Sequence, residues 1–192
     1  MLHKALKTWF GFDHFNEGQE EIITSVLKNQ PTLGILPTGS GKSLCYQLPT
    51  YIKRQPTLIV SPLISLMDDQ VSQMKAQGES SVSCVHSGMD AEEKRQNIDK
   101  LSSSRFIFLS PEFLLQGTNI KLIKNINLGM IVLDEAHCLS EWGYDFRPHY
   151  ALIRKVTKYF PQATLLALTA TAQPFLIDDL NDVLETKFHQ IK

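Results

Sequence analysis

Short apolar runs alternate along the chain with longer amphipathic stretches, and this alternation gives the first indication of the fold. Runs such as FIFLS and MIVL have no polar position between their apolar residues, which is typical of strands that are covered on both faces. Strands separated by helices along the chain favour an α/β fold with a mainly parallel sheet. The predicted strands are residues 32–36, 57–60, 82–86, 106–110, 130–133 and 164–168.

The amphipathic stretches predict helices at residues 63–76, 91–101, 149–160 and 175–184. Asp90 is a candidate N-cap residue, and Pro111 stands where the first turn of a helix needs no N–H donor. Residues 116–128 predict a surface excursion before a central strand. We therefore predict a helical extension over residues 1–30, followed by an α/β lobe over residues 31–192.

Composition narrows the classes of protein that the chain can belong to. Hydrophobic residues make up 43% of the 192 residues and charged residues 20%, which is typical of a soluble globular domain and excludes a disordered or fibrous chain. The 19 basic and 20 acidic residues give a formal net charge of -1. A nucleic-acid partner would therefore have to contact a local patch, because the protein has no general excess of positive charge.

The three cysteines, Cys45, Cys84 and Cys138, are too widely spaced for a disulfide framework or a CxxC metal site. We therefore expect reduced thiols and no zinc in this chain. The sequence also lacks an apolar stretch of about 18 residues and an N-terminal signal pattern. We expect no membrane partner and a cytoplasmic location, associated with the nucleoid if the source is bacterial.

The first motif with chemistry is LPTGSGKS at residues 36–43, between a predicted strand and a predicted helix that begins near Lys42. It matches the PTGxGKS variant of the phosphate-binding loop, or P-loop. Glycines allow successive backbone N–H groups to point inward and form a nest for phosphate oxygens. Lys42 supplies a cation for the outer phosphates and Ser43 a hydroxyl for Mg²⁺. A glycine-rich turn without a ligand is the alternative. The candidate phosphate-binding residues are Thr38, Gly39, Ser40, Gly41, Lys42 and Ser43.

The second motif is the acidic pair Asp134 and Glu135, directly after the apolar run at residues 130–133. A carboxylate at the end of a buried strand beside the P-loop can hold Mg²⁺, which gives Asp134 that role. Glu135 is then placed to orient and deprotonate an attacking water. An acidic pair that merely ends a strand is the alternative, but the P-loop upstream favours hydrolysis of a nucleoside triphosphate. We therefore predict Lys42, Asp134 and Glu135 as the catalytic residues.

A third segment, residues 138–150 (CLSEWGYDFRPHY), is rich in aromatic residues and yet polar. Exposed rings next to an arginine suit stacking on single-stranded bases, which makes Trp142, Phe146 and Arg147 candidates for binding nucleic acid. Ordinary packing is the alternative for Tyr150 and for Phe146. The run LTATA at residues 168–172 ends a predicted strand in two hydroxyl residues and is unremarkable by itself.

Together these segments resemble the first RecA-like lobe of the RecQ family of DNA helicases, in helicase superfamily two. The resemblance covers essentially the whole chain, with the motifs in family order, and it implies a three-layer α/β/α RecA-like P-loop domain. The aromatic run after the acidic motif is its most specific part, because other DEAD- and DEAH-type helicases lack it. The segments that carry the resemblance are residues 10–19, 36–49, 61–70, 134–150 and 167–172.

The resemblance implies further roles for individual residues. Gln19 would read the edge of adenine, and Phe12 would stack on the base. His137, Thr169 and Thr171 would couple the state of the nucleotide to DNA. Single-stranded DNA would be contacted by the segment from Ser61 to Gln70 and by the loop that contains Trp142, Phe146 and Arg147.

The resemblance also implies ATP and Mg²⁺ as ligands, single-stranded or branched DNA as the partner, and three-prime to five-prime translocation in recombination and repair. The family continues past the position of Lys192 into a second RecA-like lobe, so we expect this chain to be half of a two-lobe motor that is weakly active alone. Three positions depart from the family pattern. Asn16 stands where arginine is usual, Tyr144 where histidine is frequent, and His149 where an acidic residue is frequent.

Three other functions remain open at this point. An RNA helicase would share the P-loop and the acidic motif, although the aromatic segment argues against it. A nucleotide- or DNA-binding module without hydrolysis would not need Lys42 and Glu135. A small-molecule kinase would need an acceptor site and would leave the aromatic segment unexplained.

Overall fold

A computed structural model of the protein describes residues 1–139, 150, 153–171 and 175–192. Its strands are β1 Thr32–Ile35, β2 Thr57–Val60, β3 Val82–Val85, β4 Phe106–Leu109, β5 Met130–Leu133, β6 Thr164–Thr169 and β7 His189–Ile191. They form one seven-stranded sheet in the order β3-β4-β2-β5-β6-β1-β7. Each neighbouring pair is parallel, which confirms the predicted parallel α/β architecture.

Helices connect the strands. They are α1 Leu2–Phe10, α2 Gln19–Leu27, α3 Leu44–Lys53, α4 Ile64–Ala76, α5 Ala91–Lys100, α6 Pro111–Leu115, α7 Arg154–Thr157 and α8 Leu176–Leu184. Within the described residues, 3-10 turns cover Leu101–Ser103, Asn119–Leu122 and Ala136–Leu139. No helix in the described part of the chain has both the length and the apolar character needed to cross a membrane.

Both faces of the sheet are buried, as the apolar runs predict. In β4, Ile107 and Leu109 pack into one hydrophobic cluster, whereas Phe106 and Phe108 pack into a second cluster on the opposite face. All four side chains are completely buried. Alternate residues of a strand point to opposite faces, so one strand contributes to two cores. This arrangement confirms the three-layer α/β/α fold.

Local signals in the sequence fix several element boundaries. The side chain of Asp90 accepts a hydrogen bond of 2.8 Å from the N–H of Glu93, which confirms it as the N-cap of α5. Pro111 occupies the first turn of α6, as predicted.

Two other segments differ from the sequence expectation. Residues 116–128, predicted as a surface excursion, are held against the protein by the buried side chains of Ile123 and Leu128. The short edge strand β7 was not predicted, since HQI has no apolar run.

The N-terminal helices pack directly on the lobe. Leu6 of α1 and Ile23 of α2 share a small core with Leu48 of α3. Helix α2 also lies close to β1, where a Cβ atom on Gly34 would stand 2.6 Å from the Cδ1 atom of Ile22. Gly34 therefore permits a close approach of α2 to β1 that a larger residue would prevent.

The strand order determines where the motifs meet. The P-loop follows β1, the acidic pair follows β5, and β6 lies between these two strands and ends at Thr169. Because the carboxyl ends of parallel strands meet at one edge of a sheet, all three segments converge there. Ligands of open α/β sheets bind at this edge.

Candidate functional site

The P-loop curls between β1 and α3 with its two glycines in the left-handed region. Gly39 has a φ of 81° and Gly41 a φ of 79°, conformations that glycine adopts without steric cost. The Ser40 hydroxyl donates a hydrogen bond of 2.7 Å to the Pro37 carbonyl and closes the turn. Helix α3 begins at Leu44, two residues later than predicted, with its N-terminus at the loop. This arrangement suits an anion, because both the loop amides and the helix terminus are electropositive.

Gln19 holds the N-terminal segment against the P-loop. Its side chain is buried, and its Nε2 atom donates to the carbonyl oxygens of Ser40 (2.9 Å) and Gly41 (3.1 Å). Its Oε1 atom accepts from the backbone N–H of Asn16 at 2.8 Å. The Asn16 side chain adds a donor to Ser40 O at 3.0 Å. Both amide hydrogens of Gln19 are thus used on the P-loop, and only its oxygen has capacity left for a base.

A cleft of about 340 Å³ opens beside this junction. Phe12, which is 57% exposed, lines the cleft together with Asn16, Gln19, Gly41 and Ser43. The residues predicted to contact the base, Phe12 and Gln19, therefore share one cavity with part of the P-loop, namely Gly39, Gly41 and Ser43. Their contacts with adenine remain predictions.

Lys42 and Glu135 face each other across the carboxyl edge of the sheet. The Nζ atom of Lys42 lies 3.5 Å from Oε1 of Glu135, and both side chains are largely buried. The second carboxylate oxygen of Glu135 lies 3.3 Å from Nδ1 of His137. That ring nitrogen is also 3.1 Å from the Thr169 hydroxyl, which accepts from the N–H of Thr171 at 3.2 Å. A continuous polar chain therefore joins the P-loop lysine to the end of β6.

Glu135 adopts an unusual backbone conformation, with a φ of 49°. A non-glycine residue in the left-handed region costs of order 1–3 kcal/mol and persists where the surrounding structure demands it. Here the turn follows β5 immediately and aims the carboxylate at Lys42 and His137.

Asp134 is the most deeply buried carboxylate of the site, with 4% of its surface exposed. Burial, and secondarily the neighbouring Glu135, raise its pKa to about 6, while Lys42 opposes the change. Gln70 donates a hydrogen bond of 3.3 Å to its Oδ2 atom. Carboxylate and hydroxyl oxygens are the ligands that Mg²⁺ prefers, so Asp134 and Ser43 fit this metal by their chemistry.

The residues predicted to contact DNA fall into two groups. Ser61 is buried and its hydroxyl accepts from the N–H of Leu63 at 3.4 Å, while Gln70 lines the nucleotide cleft. Trp142, Phe146 and Arg147, with Tyr144 and His149, lie outside the described residues. DNA contact by both groups remains a prediction.

Tyr150, at the end of the aromatic segment, is completely buried. Its hydroxyl donates to the carbonyl oxygens of Asp134 (2.7 Å) and Val60 (3.0 Å). This confirms the packing interpretation for Tyr150, which braces the ends of β2 and β5.

Asp68, Cys84 and His86 form a second polar cluster, which no motif in the sequence indicates. The residue types suit zinc. The N–H of Gly88, however, donates to Nδ1 of His86 at 3.1 Å, which leaves Nε2 to carry the ring proton and donate to Asp68 at 2.9 Å. Burial raises the pKa of the Cys84 thiol to about 12. The cluster is a hydrogen-bonded pair beside a buried thiol.

Comparisons with known proteins agree with this geometry. The sequence matches the DEAD/DEAH box helicase family over residues 16–179. It is 43% identical over 184 residues to the probable ATP-dependent DNA helicase RecS of Bacillus subtilis, covering 96% of this chain and 37% of RecS. It is 43% identical over 170 residues to the ATP-dependent DNA helicase RecQ of Haemophilus influenzae, covering 88% of this chain and 27% of RecQ.

The fold also matches a solved structure. The DUF1998 helicase MrfA bound to DNA superposes with a TM-score of 0.78 at 21% identity, over 99% of this chain and 29% of MrfA. The chain thus spans about a quarter to two fifths of the length of these relatives.

Proposed function

The chain belongs to the DEAD/DEAH box helicase family, and we propose that it is the ATP-binding lobe of a RecQ-like DNA helicase. The observation that carries this proposal is the 3.5 Å approach of Lys42 to Glu135, with Asp134 beside them. A phosphate-binding cation, a metal-binding carboxylate and a candidate base thus meet at one edge of the sheet. A nucleotide-binding module without hydrolysis would not need this combination.

In the proposed reaction, the P-loop amides and Lys42 bind the phosphates of ATP. Asp134 and Ser43 would hold Mg²⁺, which when bound neutralises charge on the outer phosphates. Glu135 orients the attacking water and accepts its proton. Burial of Asp134 and Glu135 excludes bulk solvent from this side of the cleft.

We propose that His137 couples this chemistry to the end of the sheet. Its Nδ1 atom lies within 3.3 Å of both Glu135 and the Thr169 hydroxyl. The backbone carbonyl oxygen of Thr169 accepts a hydrogen bond of 3.0 Å from the N–H of Leu36, at the entrance of the P-loop. A change at Glu135 therefore reaches Thr169 through two polar contacts and Thr171 through a third.

DNA is the proposed partner, since RecS and RecQ carry the name of DNA helicases. Trp142, Phe146 and Arg147 supply stacking rings and a cation, and the segment 61–70 supplies a second contact. The proposal includes three-prime to five-prime translocation in recombination and repair. A second RecA-like lobe in cis is supported by the relatives' greater length, and we propose that residues 1–192 alone turn over slowly.

The decisive experiment measures phosphate release from ATP–Mg²⁺ by a protein that contains both lobes, with single-stranded DNA and with single-stranded RNA. We expect DNA to stimulate release and RNA to have little effect. Trp142→Ala should lose most of the stimulation, while Trp9→Ala, which removes an exposed ring stacked on Tyr51 in α3, should retain it. Equal stimulation by RNA would favour an RNA helicase, and no release with any polymer would favour a binding module.

A further inference from the structure

One glutamine joins three elements of the nucleotide site. Gln70, near the middle of α4, donates through Nε2 to the Oδ2 atom of Asp134 at 3.3 Å. Its Oε1 atom accepts a hydrogen bond of 2.6 Å from the hydroxyl of Tyr46. Tyr46 belongs to α3, the helix that follows the P-loop, and only 1% of its surface is exposed.

The two partners together determine which end of the amide faces the carboxylate. An ionised carboxylate can only accept, so Asp134 requires the NH₂ group of Gln70 on its side. The Tyr46 hydroxyl then donates to the Oε1 atom on the other side and holds the amide in that orientation. If the amide turned over, it would present an oxygen to a carboxylate oxygen, which is repulsive. Rotation of Tyr46 away from this bond is restricted, because its buried ring packs edge-on against Phe106 and Phe108.

We propose that Gln70 is a positioning residue for Asp134 and that Tyr46 fixes the orientation of the Gln70 amide. Together they hold the carboxylate in the rotamer that binds Mg²⁺. The inference rests on the proposed ATP–Mg²⁺ function and adds two residues to it. It gives Gln70 a role inside the nucleotide cleft, in addition to the DNA contact predicted for the segment that it ends.

Burial makes this support important. A buried carboxylate that loses a donor keeps its desolvation cost and gains rotational freedom. Substitution of the hydrogen-bond partner of a metal ligand typically lowers metal affinity about 10–100-fold. The effect of removing Gln70 should therefore appear in the dependence of nucleotide binding on Mg²⁺, and nucleotide binding without metal should change little.

The test uses Gln70→Met, which keeps the length of the side chain, and Tyr46→Phe, which keeps the ring. Gln96→Met, on the exposed face of α5, is the matched control. Binding of a fluorescent, non-hydrolysable ATP analogue is titrated at a series of Mg²⁺ concentrations and in EDTA. For Gln70→Met we expect the Mg²⁺ concentration at half saturation to rise about 10-fold or more, with unchanged affinity in EDTA. Tyr46→Phe should also raise the Mg²⁺ concentration at half saturation, but by less than Gln70→Met. Gln96→Met should have the same Mg²⁺ dependence as the parent.

Two outcomes would overturn the inference while leaving the proposed function intact. One is a Gln70→Met variant with the Mg²⁺ dependence of the parent. The other is an equal loss of affinity with and without Mg²⁺ in both variants, which would mean that Gln70 only packs the cleft. Failure of the parent itself to bind the analogue would instead overturn the proposed function. Parental thermal unfolding of each variant establishes that the fold is retained.

Discussion

The Nζ atom of Lys42 lies 3.5 Å from Oε1 of Glu135, so the cation of the P-loop and the proposed general base are direct neighbours. The two residues are 93 positions apart in sequence, and the parallel strands β1 and β5 bring them to the same edge of the sheet. Each partner affects the electrostatic environment of the other, because both side chains are more than four fifths buried. Substitutions of the two residues nevertheless have different expected effects on binding and on hydrolysis.

Lys42→Ala should weaken ATP binding about 10-fold or more, because charge-assisted hydrogen bonds to phosphate contribute about 1.5–3 kcal/mol. Equilibrium titration with a fluorescent ATP analogue measures this change. Lys28→Ala is a suitable control, because Lys28 is exposed and precedes β1 at the opposite edge of the sheet. Parental affinity in Lys42→Ala would contradict the P-loop assignment.

Glu135→Gln should keep nucleotide affinity at or above the parental value and slow hydrolysis by about 10²–10⁴-fold, the usual contribution of a general base. The amide keeps the shape of the side chain, loses the ability to accept the proton, and removes a negative charge close to the phosphates. Phosphate release in a two-lobe protein, measured beside the exposed-site control Glu112→Gln, tests this expectation. Turnover at the parental rate would exclude Glu135 as the base.

Much of the fold could be predicted from the sequence because its signals are local. The apolar runs at β4 and β5 contain no alternation, and a strand buried on both faces requires none. The carboxyl end of β5 is marked by Asp134 and Glu135 directly after the run, so the acidic pair and its strand were found together. Parallel pairing then implied that this pair would lie at the same sheet edge as the P-loop.

Contacts between segments that are distant along the chain could not be predicted from local sequence signals. Gln70 looked like part of a DNA-contacting segment, since nothing in its own helix reveals that Tyr46 turns its amide toward Asp134. The hydrogen bond of Asn16 to Ser40 is equally hidden, because it depends on how the N-terminal segment folds over the P-loop. Strand β7 has too few apolar residues to be recognised in the sequence. It forms because its backbone pairs with β1, a contact between segments that are far apart along the chain.

Gly41→Ala should lower both stability and ATP affinity, whereas Gly78→Ala should lower stability alone. Both glycines have positive φ angles, 79° and 91°, so either alanine costs about 1–2 kcal/mol in backbone strain. A Cβ atom on Gly41 would also stand 2.9 Å from Nε2 of Gln19, while one on Gly78 would meet no atom within 4 Å. Because Gln19 is buried, its amide has little room to retreat.

Thermal unfolding and nucleotide titration of both glycine variants separate the two effects. Similar losses of stability, with loss of affinity only in Gly41→Ala, are expected. Equal affinities in the two variants would show that the contact of Gln19 with the P-loop does not shape the nucleotide site.

The buried carboxylate of Asp134 lowers the stability of the folded protein when it is ionised. Burial, followed by the proximity of Glu135, raises the pKa of Asp134 from 3.8 to about 6. Since the folded protein binds this proton more tightly than the unfolded chain, the free energy of unfolding falls as pH rises from about 4 through 6. The full cost is present above that window and amounts to about 2–3 kcal/mol, at about 1.4 kcal/mol for each unit of pKa.

Asp134→Asn removes the charge. We therefore expect the difference in the free energy of unfolding, variant minus parent, to increase by about 2 kcal/mol between pH 4 and pH 8. Comparing the two proteins at each pH cancels the contributions of other titrating groups. Asp99→Asn, an exposed carboxylate on α5, should show no such trend. Addition of Mg²⁺ with an ATP analogue should reverse the order at pH 8, because a ligand that binds only the folded parent stabilises it by mass action. A stability difference between variant and parent that is the same at pH 4 and at pH 8 would mean that ionisation of Asp134 carries no net cost in the folded protein.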